Sequence, residues 1–483
     1  MLLDDVLLEV FEHCRKMHYN LPRWTRDSIW NWFQDWLILV HVCRRWRQVI
    51  FESPHRLKLQ IICTYGTPFR TNLDIWPVLP IVLDLSSRRC MPLQDRDNAI
   101  AVLGHRNRVQ AVRLSGTDFA LRDLVAVMQE PFPVLTHLHL RTMDAGTPIL
   151  TTEFLGGSAP HLQEITLYRI LFPALPTFLL STTDLVTLNL FDIPSPGYIS
   201  PEGMVECLAA LPRLEMFAIK YQHVSSRPDR IRPSPVTRPV LPALTDFEFR
   251  GGFEYLENLV AQIDSPRLER ISIYYLDLPD NLQVAQLSNF IDRSIGPELT
   301  PSRRAHVRFL SQQVAFALSR DYPHARYPGR DRRTVETTIS IDTFGDFNWH
   351  ISDMARVLSQ FSVALHTVVH LELEARHDEY DRYDQFFDPH DVEWLYLFIQ
   401  FPAMRVLYVS PDLANTPILS ALNGITAETA AKVLPSLGLI YLDSMPTSDL
   451  GNIIAIRRFS DHPITVAETI EEFDERLESY ING

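Results

Sequence analysis

A short apolar signature, a proline or polar residue followed by L-x-x-L-x-L or an equivalent, recurs along most of this 483-residue chain. It reads RVQAVRL to Leu114, PVLTHLHL to Leu140, PHLQEITL to Leu167, TDLVTLNL to Leu190 and PRLEMFAI to Ile219. It continues as PALTDFEF to Phe249, PRLERISI to Ile273, TVVHLELE with Leu371 and Leu373, PAMRVLYV to Val409 and PSLGLIYL to Leu442. Its first leucine advances from Leu135 through Leu162, Leu185, Leu214 and Leu244 to Leu268, in steps of 27, 23, 29, 30 and 24. One strand and a return leg fill such a step. A unit of that size cannot bury its own apolar face, so only copies stacked in series make a core. Several return legs, such as LRDLVAVMQE and EGMVECLAA, carry helical spacing.

The signature is the strand segment of a leucine-rich repeat, and the expected fold class is α/β, a solenoid with a parallel sheet behind a small all-helical module. The expected organisation is a helical module over 1–56, a connecting segment and N-terminal cap over 57–107, repeats over 108–460 and an acidic cap or tail over 461–483. Two stretches break the rhythm and read as loop insertions. One is the proline- and arginine-rich 221–242; the other is 295–335, with eight arginines and no lysine, within which HVRFLSQQVAFAL reads as a degenerate strand or helix.

Hydrophobic residues make up 46% of the chain, which provides a core, and the formal charge of −14 opposes wholesale contact with nucleic acid or anionic lipid. Five cysteines without a C-x-x-C pair argue against a disulfide framework or a cysteine zinc site. The opening MLLDDVLLEVF has acids where a secretory signal carries positive charge, and no apolar run reaches membrane length. The expectation is an intracellular protein, cytoplasmic or nuclear, with no membrane partner. Glycine-rich phosphate loops, G-x-S-x-G and H-E-x-x-H are all missing, so neither an enzyme nor a cofactor is expected. The cluster His377, Asp378, Asp381, Asp384, Asp388, His390 and Asp391 matches no calcium loop and reads as a solvated loop.

At the front, Leu3, Val6, Leu7, Val10 and Phe11 recur at helical spacing, and Val42, Cys43 and Trp46 lie on a second amphipathic run around Arg44. A stretch with Trp24, Trp30, Trp32 and Trp36 lies between them. LLDDVLLEVFEHC followed by LVHVCRRWRQVIFESPHRL resembles the F-box, whose pattern is L-P-x-E-[IV]-L-x-x-[IV]-F and then V-C-[RK]-x-W. With repeats downstream, the whole resembles the large F-box family of mushroom-forming fungi.

That resemblance implies a substrate-recruiting subunit of a cullin-RING ubiquitin ligase. Leu3, Val6, Leu7, Val10, Phe11, Val42, Cys43 and Trp46 would bind a Skp-type linker protein, and through it a cullin. The alternative is a repeat scaffold with a degenerate F-box, because Leu2-Leu3 stands where the pattern has Leu-Pro. Residues alternating with the core leucines would face a target protein: His137, His139, Arg141, Glu164, Tyr168, Asn189, Phe191, Glu248, Arg250, Arg270 and Tyr274.

Overall fold

The computed structural model describes residues 4–19, 39–54, 56–57, 59–66, 78–86, 92–223, 238–276, 283–294, 304–310, 313–319, 336–342, 350–361, 365–375, 391–413, 418–442, 450–458, 463–467 and 469–482. The chain divides into two compact bodies, one of residues 1–199 with 210–214 and one of residues 200–209 with 215–483.

The first body opens with helices α1 (Asp4–Tyr19) and α2 (Arg44–Glu52). Strands β1 (Ile61–Cys63), β2 (Ile81–Leu85), β3 (Val109–Gly116), β4 (His137–Thr142), β5 (Glu164–Tyr168) and β6 (Thr187–Ile193) follow, each paired in parallel with the next. The stack therefore starts earlier than the leucine pattern shows: β1 and β2 lie in the stretch assigned to a connecting segment and cap. They carry IIC and IVLDL, whose near-continuous apolar character hides the alternation. Leu138 and Leu140, Ile165 and Leu167, and Leu188 and Leu190 form the buried rows of the sheet, and Leu135, Leu162 and Leu185 are buried just before each strand. The return helix Asp118–Val127 starts at Thr117, whose hydroxyl accepts the Ala120 N–H at 3.4 Å.

The second body holds β7 (Met216–Tyr221), β8 (Asp246–Gly251), β9 (Arg270–Tyr275), β10 (Arg304–Leu310), β11 (Gln313–Ser319), β12 (Glu336–Asp342), β13 (His370–Ala375), β14 (Val406–Val409), β15 (Leu439–Leu442) and β16 (Thr465–Ala467). All ten copies of the signature are strands. The parallel rule fails at one place, where the order runs β9, β12, β11, β10, β13 and the pairs β12–β11 and β11–β10 are antiparallel. The 295–335 stretch thus holds two strands of the sheet instead of a plain loop. Only two residues separate Leu310 from Gln313, far fewer than the dozen a parallel crossover needs, so the chain turns straight back. Ala305, Val307 and Phe309 on β10, with Val314, Phe316 and Leu318 on β11, keep the core row continuous.

Between strands β8 and β10, Glu257 of the return helix Phe253–Val260 is 2% exposed, and its carboxylate accepts N–H bonds from Gln286 at 2.8 Å and Leu287 at 3.0 Å. It thereby caps the next return helix, Ala285–Ser294. Burial pushes the acid up from 4.5 to about 7, against the pull of those two N–H donors. Because the folded chain holds this proton more tightly than the unfolded chain, stability falls as pH rises from 4.5 to about 7, by about 3 kcal/mol in all. Glu257→Gln is expected to flatten that slope in melting curves taken across the interval. An unchanged slope would refute the assignment.

Candidate functional site

The two halves of the front signature meet in space. Phe11 of α1 sets its ring edge against Trp46 of α2, with centroids 4.9 Å apart and planes at 64°. Arg45 donates to Asp4 at 2.7 Å, and Arg56 donates to Glu9 at 2.5 Å and to Glu12 at 2.8 Å. Those carboxylates raise the Arg56 guanidinium above its ordinary value, Glu12 most. The Cys43 sulfur accepts the Trp46 N–H at 3.5 Å and so caps α2.

Burial divides the residues expected to bind a linker. Leu7 and Phe11 are 4% and 2% exposed and face the module's own interior, with Leu8, Val40, Val49 and Ile50. Side chains this buried hold the two helices together. Val6, Val10 and Val42 are 40%, 44% and 55% exposed, Cys43 is exposed and Trp46 is half-buried. Leu3 and the tryptophan-rich stretch lie outside the described residues.

On the first body's strand face, register sets the candidate residues in rows. His137 is opposite Glu164, His139 opposite Thr166, and Arg141 opposite Tyr168, which is opposite Phe191. The Arg141 guanidinium lies 4.6 Å from the Tyr168 ring centroid, and the Phe191 ring meets Tyr168 edge-on at 6.4 Å. Asn189 does not reach out as expected: it is buried and donates to the Thr166 hydroxyl at 3.2 Å. Burial lowers the His137 pKa, with Glu164 opposing.

The leucine pattern also missed a pair at the ends of two strands, Arg169 just after β5 and Asp192 within the last residues of β6. Arg169 and Asp192 hold left-handed backbone at φ 55° and 49°, and lie 3.6 Å apart as an ion pair. That conformation costs roughly 1–2 kcal/mol for a residue with a Cβ. It is held by the Arg169 N–H, which donates to the Phe191 carbonyl at 2.9 Å. Arg169 lies beyond the end of β5, and the left-handed backbone at Asp192 breaks the alternation within β6, so alternation alone revealed neither.

In the second body, the Arg250 guanidinium lies 5.1 Å from the Tyr274 ring centroid, Lys220 pairs with Glu248 at 2.6 Å, and Arg270 pairs with Asp246. Arg304 pairs with Glu372, while His306 and Arg308 meet Glu374 at 3.0 and 3.2 Å. Glu372 and Glu374 alternate with Leu371 and Leu373, so the rule applied to earlier copies would have reached them. Over the last strands this face is covered. The C-terminal helix, Ile470–Asn482, lays Phe473 and Leu477 on Val406, Leu439, Tyr441 and Ala467, and its Tyr480 packs against the same group. A Cβ at Gly438 would come within 2.5 Å of the Tyr480 ring, so only glycine lets the helix lie this close.

Among the described residues, no group of three His, Cys, Asp or Glu could hold a metal ion, and no helix is long and apolar enough to cross a membrane. The acidic and histidine cluster falls outside the described residues apart from Asp391. Strand rows and helical returns define the class: a leucine-rich-repeat-like α/β solenoid with a parallel sheet.

No protein-family model and no curated protein matches the chain. Solved structures that match include the leucine-rich repeat-containing protein LegL7 from Legionella pneumophila, at 12% identity over 82% of this chain and 97% of that one, with a TM-score of 0.28. The TLR13–ssRNA13 complex matches at 12% identity over 84% of this chain and 48% of that one, with a TM-score of 0.31. The Rad7 and Elc1 complex in yeast matches at 11% identity over 97% and 94%, with a TM-score of 0.27. Scores this low carry no argument about function, and the class rests on the strand register described above.

Proposed function

We propose that the chain is a substrate-recruiting adaptor of a cullin-RING ubiquitin ligase. The helical module docks a Skp-type linker, the strand face holds a target protein, and ligation belongs to other subunits. The chain contributes proximity. One observation supports this most: two sequence halves that together resemble an F-box pack as one unit around Phe11 and Trp46, yet leave Val6, Val10 and Val42 outward. Val6 and Val10 are four residues apart on α1 and share one helix face, as a helix-in-groove contact requires.

The test is co-purification of a recombinant Skp-type linker with the full chain and with the double variant Val6→Asp/Val10→Asp. Two charges on a desolvated helix face are expected to weaken linker binding at least a hundredfold, while the melting temperature stays within about 2 °C because both positions are exposed. A wild-type chain that fails to bind, or a variant that binds equally well, would favour a scaffold with no ligase role.

A further inference from the structure

The first body's strand face carries Arg113, Arg141 and Arg169, and their surroundings differ. Arg113 lies 4.0 Å from Asp84, and Arg169 lies 3.6 Å from Asp192. Arg141 is exposed, its guanidinium lies 4.6 Å from the Tyr168 ring centroid, and it makes no ion pair with a described acid. A guanidinium held over a ring keeps its N–H edge turned outward, in the fork geometry that matches a carboxylate. The platform beneath it is fixed. Tyr168 is bonded to the Asp192 carboxylate, which raises the phenol above its ordinary value, and Phe191 closes one side of the ring. The left-handed residues Arg169 and Asp192 pair with each other at 3.6 Å beside it.

We propose that Arg141, on its Tyr168 and Phe191 platform, anchors a carboxylate side chain on an acidic segment of the target protein. The proposal rests on the reading of the strand face as a target-gripping surface, and is independent of linker docking. A phosphoryl group, with nearly two charges, calls for more than one uncommitted cation, whereas Asp84 and Asp192 already hold the two neighbouring arginines. Glu164 sits four residues from Tyr168 along β5, about 13 Å away and beyond the reach of unscreened repulsion at physiological salt. The chain's net charge of −14 repels acidic peptides in general, so one that binds is held by local chemistry.

The experiment is fluorescence anisotropy of a fluorescein-labelled hexaglutamate peptide with the full-length protein at 0.15 M salt, beside hexalysine and a tri-phosphoserine peptide. Hexaglutamate is expected to bind, Arg141→Ala to weaken it at least tenfold, and Arg141→Lys to weaken it severalfold, since lysine keeps the charge but loses the stacked fork. Arg122→Ala, on a return helix, is expected to leave binding unchanged, as is Val6→Asp/Val10→Asp, which disables only the linker contact. Thermal melting of Arg141→Ala is expected to match wild type because the residue is exposed. The proposal falls if hexaglutamate does not bind at about 1 mM, which is only about 4 kcal/mol of affinity. It also falls if Arg141→Ala binds equally well, or if the phosphoserine peptide binds tenfold more tightly than hexaglutamate.

Discussion

Replacing Phe11 by alanine is expected to cost about 3–5 kcal/mol and to detach α1 from α2, the larger part from lost burial and the rest from the edge contact with Trp46. Little else compensates. The ion pairs of Asp4 with Arg45 and of Glu9 with Arg56 are solvent-exposed on at least one side, so water and salt screen them. A lone helix of 16 residues is marginal in water. Hydrogen exchange should show the α1 amides losing protection while β3 to β6 keep theirs. Protected α1 amides in Phe11→Ala would mean that the ring is not what holds the module. This variant would also lose a linker, through unfolding, whereas Val6→Asp/Val10→Asp loses it with α1 intact, so the two together separate folding from docking.

The second large effect concerns the C-terminal helix. Phe473 meets the Tyr441 ring at 5.2 Å, His370 at 6.0 Å and Tyr408 at 6.1 Å, and is buried between them. Phe473→Ala is expected to remove about 3–5 kcal/mol and to release the helix from the strands. Limited trypsin digestion should then cut quickly at Arg476, which lies within it, while wild type resists. Equal rates of cutting would show that the helix is already loose or is held elsewhere.

Acid is expected to act on the same contact. Burial first, then Arg304 and His306, hold the His370 imidazole well below its ordinary 6.5. A histidine with a depressed folded value stabilises above its unfolded pKa, and that contribution is lost as pH falls below about 6.5. Cutting at Arg476 should therefore accelerate in wild type under mild acid, and much less in Phe473→Ala, where the helix is already free.

The spacing of leucines was enough to locate every strand that follows a proline- or polar-led signature, because a period-two pattern anchored by one preceding leucine has a single way to face a core. The same rule put Arg141 and Tyr168 on one face, and the strand register then set them opposite each other. It left β10 and β11 undecided between strand and helix, because they have alternation but no preceding anchor, and it missed β1 and β2, which are largely apolar throughout.

What the sequence alone determined is thus the repeat and its α/β returns, both properties of local periodicity, while only the resemblance to the F-box joined the two front segments. Burial within the module was left to tertiary packing, which turned Leu7 and Phe11 inward and Val6 and Val10 outward from one amphipathic helix. So were the chain reversal at Leu310, the left-handed turns at Arg169 and Asp192, and the seating of Phe473 over the last strands. Each of these depends on groups far apart in the chain competing for the same space or charge, and periodicity within a single segment carries no record of that competition.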